Sequence, residues 1–342
     1  MADYKKYQSD GVSAEDKALD KFAELMIEKI ESLKNSDSWK QPWFTEGSLR
    51  WPRNLSGREY NGMNALLLMM LCEKQNYKLP VFCTFNRAVG LNYTTDKQGA
   101  KKPITDADGQ PLPRVGINKG EKSFPVMLTT FTVVDKDTKE KINYEDYKRL
   151  SNDEKAQYNV YPKLNVYQVF NVDQTNLKEA RPDLYAKLES ENKLQRPFSG
   201  EGESFKFPAM DAMIAENKWI CPINLVHQDN AYFSISKNQI TLPEKSQFKD
   251  GESFYGTAFH EMTHSTGTAE MFNRFNPESG FGSAEYAKEE LVAELGSALV
   301  AQRYGMTKHL KEARAGSLKA WLDSVKAARS FLMSTLMDVT RA

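Results

Sequence analysis

The chain of 342 residues has no charge surplus of either sign: 46 Lys plus Arg stand against 46 Asp plus Glu. A polyanionic partner must therefore meet a local basic patch, because the field of the whole molecule offers no attraction. Cysteine is scarce, with only Cys72, Cys83 and Cys221. All three sit in apolar contexts without a CxxC spacing, which argues against a disulfide frame or a zinc knuckle and reads as buried thiols in a reducing compartment. Long apolar runs are missing as well. The longest, Ala65 to Cys72, is far short of the roughly 20 residues that a membrane helix needs. The segment MADYKKYQSDGVSAEDK has no apolar core followed by a small-residue cleavage site, so no secretory signal is expected and the cytosol is the default location. Internal repeats and low-complexity tracts are absent.

What is present is the composition of a folded, soluble chain, with 40% hydrophobic, 11% aromatic and 27% charged residues. The length suggests about two domains. Ser13 can cap a helix whose apolar positions Leu19, Phe22, Met26, Ile30 and Leu33 recur every three or four residues to about Lys34. A tryptophan-rich turn (Trp39, Pro42, Trp43, Phe44, Trp51, Pro52) precedes a second helix over Ala65 to Lys74. β-branched residues predict a strand over Phe124 to Val134, pairing with a second over Leu164 to Val172. Between them, residues 135 to 160 are highly charged and read as an exposed helical insertion. Polar composition with Pro182, Pro197, Gly200 and Gly202 marks a linker over 177–204. The domains are thus 1–176 and 205–342. The second begins with a short helix over Pro208 to Asn217, followed by strand-like pieces near Trp219 to Val226, Ala231 to Ile235 and Gln239 to Pro243. Helical patterns fill the rest.

Chemistry is concentrated in FYGTAFHEMTHSTG. Residues His260-Glu261-Met262-Thr263-His264 form HExxH, and on a helix the i, i+4 spacing stacks both imidazoles on one face, where they can share one zinc ion. Two of the chain's four histidines lie in this motif, whose chance occurrence is on the order of 10⁻². Glu261 is placed to take a proton from the attacking water of zinc hydrolase chemistry, although another divalent metal would fit the same donors. A third protein ligand is required. One candidate is Glu290, on an amphipathic helix over Ala284 to Tyr304 that Gly305 stops; Glu294 on the same face would then brace a ligand histidine. Glu270 is a second candidate, in the outline of a metzincin, and Glu294 with the roles reversed is a third. His227 and His309 read as structural or surface residues. Substrate backbone would lie along an edge strand, for which Ala231 to Ile235 and Gln239 to Leu242 are candidates. Tyr232, Tyr255 and Tyr286 are possible transition-state donors.

The N-terminal half carries the charge asymmetry that the total hides. Residues 36–130 hold 13 Lys plus Arg and 8 Asp plus Glu. The surplus is interleaved with Trp39, Trp43, Phe44, Trp51, Tyr60, Phe85 and Tyr93, a mixture that suits stacking of bases and contact with phosphates.

Several segments resemble ArdC-type antirestriction proteins. Trp39-Lys40-Gln41-Pro42-Trp43, Arg58-Glu59-Tyr60-Asn61-Gly62-Met63-Asn64, Gly116-Ile117-Asn118-Lys119-Gly120-Glu121-Lys122 and Val169-Phe170-Asn171-Val172-Asp173-Gln174 resemble that family's N-terminal domain. Ala231-Tyr232-Phe233-Ser234, Ile240-Thr241-Leu242-Pro243, HEMTHSTG and Tyr286 to Leu295 (YAKEELVAEL) resemble its C-terminal zincin-like domain. The resemblance implies an α+β protein of two domains: an N-terminal α+β domain that binds single-stranded DNA, and a C-terminal zincin-like, gluzincin-type metallopeptidase domain. It is encoded on mobile elements such as plasmids, conjugative transposons or phages, and acts in the cytoplasm of the bacterial host without a membrane. Zinc held by His260, His264 and Glu290, with Glu261 catalytic and Glu294 supporting a ligand histidine, follows from the likeness to gluzincins such as thermolysin. Trp39, Lys40, Trp43, Arg58, Tyr60, Asn61, Asn64, Lys119 and Lys122 are the nucleic-acid contacts that the motifs imply. The implied function is protection of incoming DNA from restriction; the alternative is a zinc metalloprotease that cleaves a host defence or DNA-bound protein and uses the N-terminal domain for targeting.

Overall fold

The computed structural model describes residues 13–34, 50–96, 98–192, 198–200, 205–275 and 283–306, with Trp321, Thr335, Asp338 and Val339 beyond them. The hydroxyl of Ser13 accepts the Asp16 N–H at 3.0 Å, which satisfies an orphan donor at the start of helix α1 (Ala14–Lys34). Ala18, Phe22, Leu25, Met26 and Ile30 point inward. Strand β1 (Arg53–Asn54) leads to α2 (Gly62–Gln75), in which Ala65 to Met70 are all buried. Asn76, at φ 53°, ends α2 in the left-handed conformation that a C-terminal cap uses. Strand β2 (Val81–Cys83), helix α3 (Phe85–Gly90) and an exposed hairpin of β3 (Tyr93–Thr95) and β4 (Lys101–Pro103) follow.

The expected pairing of the two β-rich segments holds. Strand β5 (Phe124–Asp135) runs antiparallel to β7 (Tyr158–Asn171), from Phe124 opposite Val169 to Asp135 opposite Tyr158. The ribbon extends past the alternating pattern, because residues 158–163 pair without a buried face. The charged insertion therefore holds less helix than its composition suggests: β6 (Lys141–Ile142) and two short helices, α4 (Tyr144–Arg149) and α5 (Asn152–Lys155), at the ribbon tip. Tyr144 stacks on Phe131 at 4.3 Å to dock α4. The five-stranded sheet has the order β1-β2-β7-β5-β6, with β1 and β2 parallel and the remaining pairs antiparallel.

The stretch from 177 to 192, where polar composition suggests a linker, folds into α6 (Leu177–Ala180) and α7 (Pro182–Glu191). Leu177, Ala180, Tyr185 and Leu188 pack on Leu79, Val81, Val115 and Val172. Each short helix buries only two apolar side chains, too few to register as periodicity. These residues complete the N-terminal domain.

In the second domain, α8 (Pro208–Ala215) precedes β8 (Ile223–Val226), β9 (Tyr232–Ser234) and β10 (Gln239–Pro243). Strand β10 is central, parallel to β8 and antiparallel to β9. Both its edges are taken, so Gln239 to Leu242 cannot receive a substrate strand; β9 keeps one edge unpaired among the described residues. Helix α9 (Gly251–Ser265) lies under this sheet, and α10 (Ala284–Arg303) packs across α9. Their close approach needs Gly296, where a Cβ would stand 2.9 Å from Thr263 Cγ2. One row of α10 (Ala287, Leu291, Leu295, Ala298) closes a core shared with α1 and α2. At its end, Arg303 pairs with Glu59 at 2.9 Å and stacks 5.0 Å over Trp51. No helix among the described residues is long and apolar enough to cross a membrane.

Candidate metal centre

Helix α9 begins at Asp250, whose carboxylate accepts the Ser253 N–H at 2.7 Å, and is buried along nearly its whole length. That burial carries His260, Glu261 and His264 inside. The two imidazoles, one turn apart, bring their Nε2 atoms to 3.0 Å. From α10, Glu290 Oε1 stands 3.6 Å from His264 Nε2, and its Oε2 stands 3.9 Å from His260 Nε2. One donor atom from each of the three lies within 4.8 Å of the others.

The set suits a divalent ion. Two ligands at about 2.0–2.1 Å from a tetrahedral ion stand about 3.3 Å apart, and the observed separations of 3.0, 3.6 and 3.9 Å bracket that value. Two imidazoles and one carboxylate also form the donor set of catalytic zinc sites, which keep a fourth position open. Glu270 is exposed on the loop after α9 and lies outside the cluster. Glu294, 1% exposed, directs Oε2 toward His260 Nδ1 at 3.5 Å, so it braces the first histidine.

The second histidine has a brace that sequence reasoning missed. His264 Nδ1 meets Glu289 Oε1 at 3.2 Å. Arg274 in turn grips that carboxylate with two hydrogen bonds, Nε to Oε2 and Nη2 to Oε1, both 2.9 Å. The same guanidinium donates to Thr266 Oγ1 at 2.9 Å and to the Thr263 carbonyl at 2.8 Å, tying the end of α9 to the start of α10. The only sequence signal was a second glutamate beside Glu290. Arg274 carried none, since its role depends on how the loop after α9 folds back.

These charges set the titration of the site. Burial opposes charge on His264, but the carboxylates of Glu289, Glu290 and Glu261 outweigh it and push the pKa up to about 9. Burial would raise the Glu289 pKa; hydrogen bonds from Arg274 and His264 more than offset this and hold it below the usual carboxylate range.

The remaining candidates fall elsewhere. The Tyr255 hydroxyl receives the Phe207 N–H at 2.9 Å and the Lys245 ammonium at 2.5 Å and donates to Asp211 at 2.7 Å, within the core. It is a packing residue and no transition-state donor. Tyr232 is exposed on β9 and Tyr286 is partly buried in the first turn of α10. His227 is exposed; His309 lies outside the described residues.

The N-terminal contacts divide likewise. Trp39, Lys40 and Trp43 lie outside the described residues, as does Phe44. Arg58, Asn61, Lys119 and Lys122 are exposed. Tyr60 is half-buried and packs edge-on against Phe82 at 6.2 Å, and burial pushes its hydroxyl up to about 12. Asn64 is a structural residue, because its amide clamps the main chain of Met127, with Nδ2 to the carbonyl at 2.6 Å and Oδ1 from the N–H at 2.9 Å. Trp51 is held by the Tyr60 carbonyl and by Arg303. Phe85 and Tyr93 stay exposed.

Fold and site together define a two-domain α+β protein whose C-terminal half is a zincin-like metallopeptidase domain. Residues 208–335 match the family described as zincin-like metallopeptidase, and residues 16–170 match the N-terminal domain of anti-restriction factor ArdC. The chain belongs to the ArdC-type proteins that join these two domains. Crystal structures of the antirestriction ArdC protein from the R388 plasmid, metal-free and Mn(II)-bound, superpose with a TM-score of 0.61 at 20% identity. These alignments cover 94% of this chain and 93% and 94% of those chains. Two Escherichia coli proteins named DNA primase TraC are 29% identical over 315 residues and 24% over 310, taking in 89% and 90% of this chain. The chain spans only 18% and 25% of those relatives' own length. The zincin-like domain implies a divalent metal.

Proposed function

We propose that this protein binds single-stranded DNA through its N-terminal domain and shields DNA entering a bacterial cytoplasm from host restriction, and that its second domain is a zinc-dependent peptide hydrolase. The observation that carries the reading is the convergence of His260, His264 and Glu290 around one point, with Glu261 between the histidines, in a chain that begins with an ArdC-type domain. Zinc bound by those three residues would polarise a peptide carbonyl and make water acidic enough to attack near neutral pH. Glu261 takes the proton from the attacking water and delivers it to the leaving amine. Glu294 and Glu289 keep each ligand ring in the tautomer that directs Nε2 inward. The free edge of β9 pairs with substrate backbone.

The completeness of this hydrolytic set favours a second reading, in which cleavage of a host defence or DNA-bound protein is itself the antirestriction act. Glu261→Gln decides between them. Anisotropy of a labelled single-stranded oligonucleotide should show tight, salt-dependent binding by both wild type and variant, and transfer of unmodified DNA into a restricting host should be protected by both. Loss of protection in the variant with DNA binding intact assigns the function to proteolysis. Absence of oligonucleotide binding by the wild type would overturn the DNA-binding reading.

A further inference from the structure

A solvent-open cleft of about 370 Å³ lies in the N-terminal domain between α1, the end of α2 and the loop that opens β5. Its volume falls in the range of small-ligand sites. The loop beside it is built to hold its shape. Asn118 and Glu121 close a turn through Glu121 N–H to the Asn118 carbonyl at 3.2 Å, and Gly120 takes φ +90°, which the third position of such a turn requires. Gln174, 4% exposed, pins the loop from below, its Nε2 donating to Glu121 Oε2 at 2.8 Å and to the Lys122 carbonyl at 3.0 Å. An exposed loop fixed this firmly to the core presents its side chains at set positions.

Those side chains and the facing helices set the chemistry of the cleft. Lys122 comes from the loop and Lys21 from α1, and neither forms an ion pair among the described residues; Lys21 donates only to the Ser123 carbonyl, at 3.2 Å. Lys74, at the end of α2, is already paired with Glu28. The Glu121 carboxylate accepts from Gln174 through Oε2 and lines the cleft, while Glu24 adds a second acidic group to the lining. Tyr77, just past α2, contributes a half-buried ring to the wall. Two cations without an ion-pair partner among the described residues, an aromatic face and a carboxylate able to accept from the N–H groups of a base edge, the ring N–H of thymine included, are the complement of a phosphate, a base face and a base edge.

We infer that this cleft is a nucleotide subsite, taking one unit of a single DNA strand with a phosphate against Lys21 and Lys122 and the base against Tyr77. The inference rests on the reading of the N-terminal domain as a DNA binder. In full-length protein, Lys21→Ala combined with Lys122→Ala should weaken binding of labelled oligothymidylate at least tenfold. It should also reduce the slope of log affinity against log salt by about 0.7, the worth of the one phosphate contact with a single strand that the two lysines share. The control Lys101→Ala with Lys102→Ala, on the exposed β3–β4 hairpin, removes equal charge and should change affinity less than the cleft pair. Photo-crosslinking of 5-iodouracil oligonucleotide to the unaltered protein, mapped by mass spectrometry, should mark Tyr77. Wild-type binding with equal losses in both double variants and crosslinks away from Tyr77 would overturn the subsite and leave the DNA-binding reading standing. No wild-type binding would overturn both.

Discussion

Protons and metal compete for His264, and the competition has a sign that can be measured. The metal-free site pushes the pKa of this imidazole up to about 9. Its ordinary value is about 6.5. In metal-free protein the protonated ring, held by Glu289 and Glu290, therefore stabilises the fold fully below about pH 6.5, and this contribution is lost as pH rises through about 9. The difference between those two values corresponds to about 3 kcal/mol. Metal needs the neutral ring, so its affinity moves the opposite way. At pH 7 displacing the proton costs about 2.7 kcal/mol, and affinity should rise about 50-fold between pH 7 and pH 9, where half the rings are already neutral. Calorimetric titration of zinc or manganese into chelator-treated protein, in buffers of differing ionisation enthalpy, should report about one proton released at pH 7. Thermal melts in chelator should fall in midpoint between pH 6.5 and 9, while the stabilisation that added metal confers increases. A metal affinity that stays flat over that window, with no proton released, would refute the argument that the glutamates outweigh burial.

Two substitutions probe the scaffold around these groups. Arg274→Leu removes both bonds that orient Glu289, and metal affinity should fall about 10–100-fold; Glu289→Leu should do the same, and the double variant little more, because both act through one contact to His264. Independent, additive losses in calorimetric Kd would show that Arg274 serves only its bonds to Thr263 and Thr266. Asn64→Ala should cost about 1–3 kcal/mol in urea unfolding, since it strands the N–H and carbonyl of Met127, while folded variant binds single-stranded DNA as the wild type does; a selective loss of DNA affinity at unchanged stability would return Asn64 to the interface.

The parts of this architecture that were legible in the sequence are those where a local rule decides. The i, i+4 histidines needed only a helix to meet, and the caps Ser13 and Asp250 and the left-handed Asn76 are short-range devices. In the β5–β7 pair, β5 could be read from Phe124 to Val134 through its β-branched residues, whereas β7 could be read only from Leu164, because Tyr158 to Lys163 carry no buried face and the ladder alone holds them. Groups whose role depends on tertiary return could not be read at all. Asn64 looked like a surface contact in a polar motif, yet the partner it satisfies is 63 residues away. Arg274 reaches across to α10, Tyr60 packs on Phe82 within the N-terminal domain, and Trp51, also counted among stacking aromatics, meets Arg303 across the two domains.

The packing between the domains changes how the two proposed activities can be tested apart. Glu290 and Glu294 face α9 from one side of α10, while Leu291, Leu295 and Leu299 on the adjoining side are buried with Phe22, Met26 and Leu67 of the N-terminal domain. Each such leucine contributes about 1.5–3 kcal/mol when withdrawn from water. Three of them amount to a large part of the 5–15 kcal/mol that typically holds a domain folded. A fragment ending before residue 205 would expose the apolar faces of α1 and α2 that α10 covers, so its failure to bind DNA would report lost stability as readily as lost contacts. Point variants in the intact chain avoid this ambiguity: Glu261→Gln removes the base without touching the shared core, and Lys21→Ala with Lys122→Ala removes surface charge on the far side of α1. The helix that carries Glu290 is also a wall of the N-terminal domain, and ligands at the two proposed sites should therefore stabilise the chain as one cooperative unit.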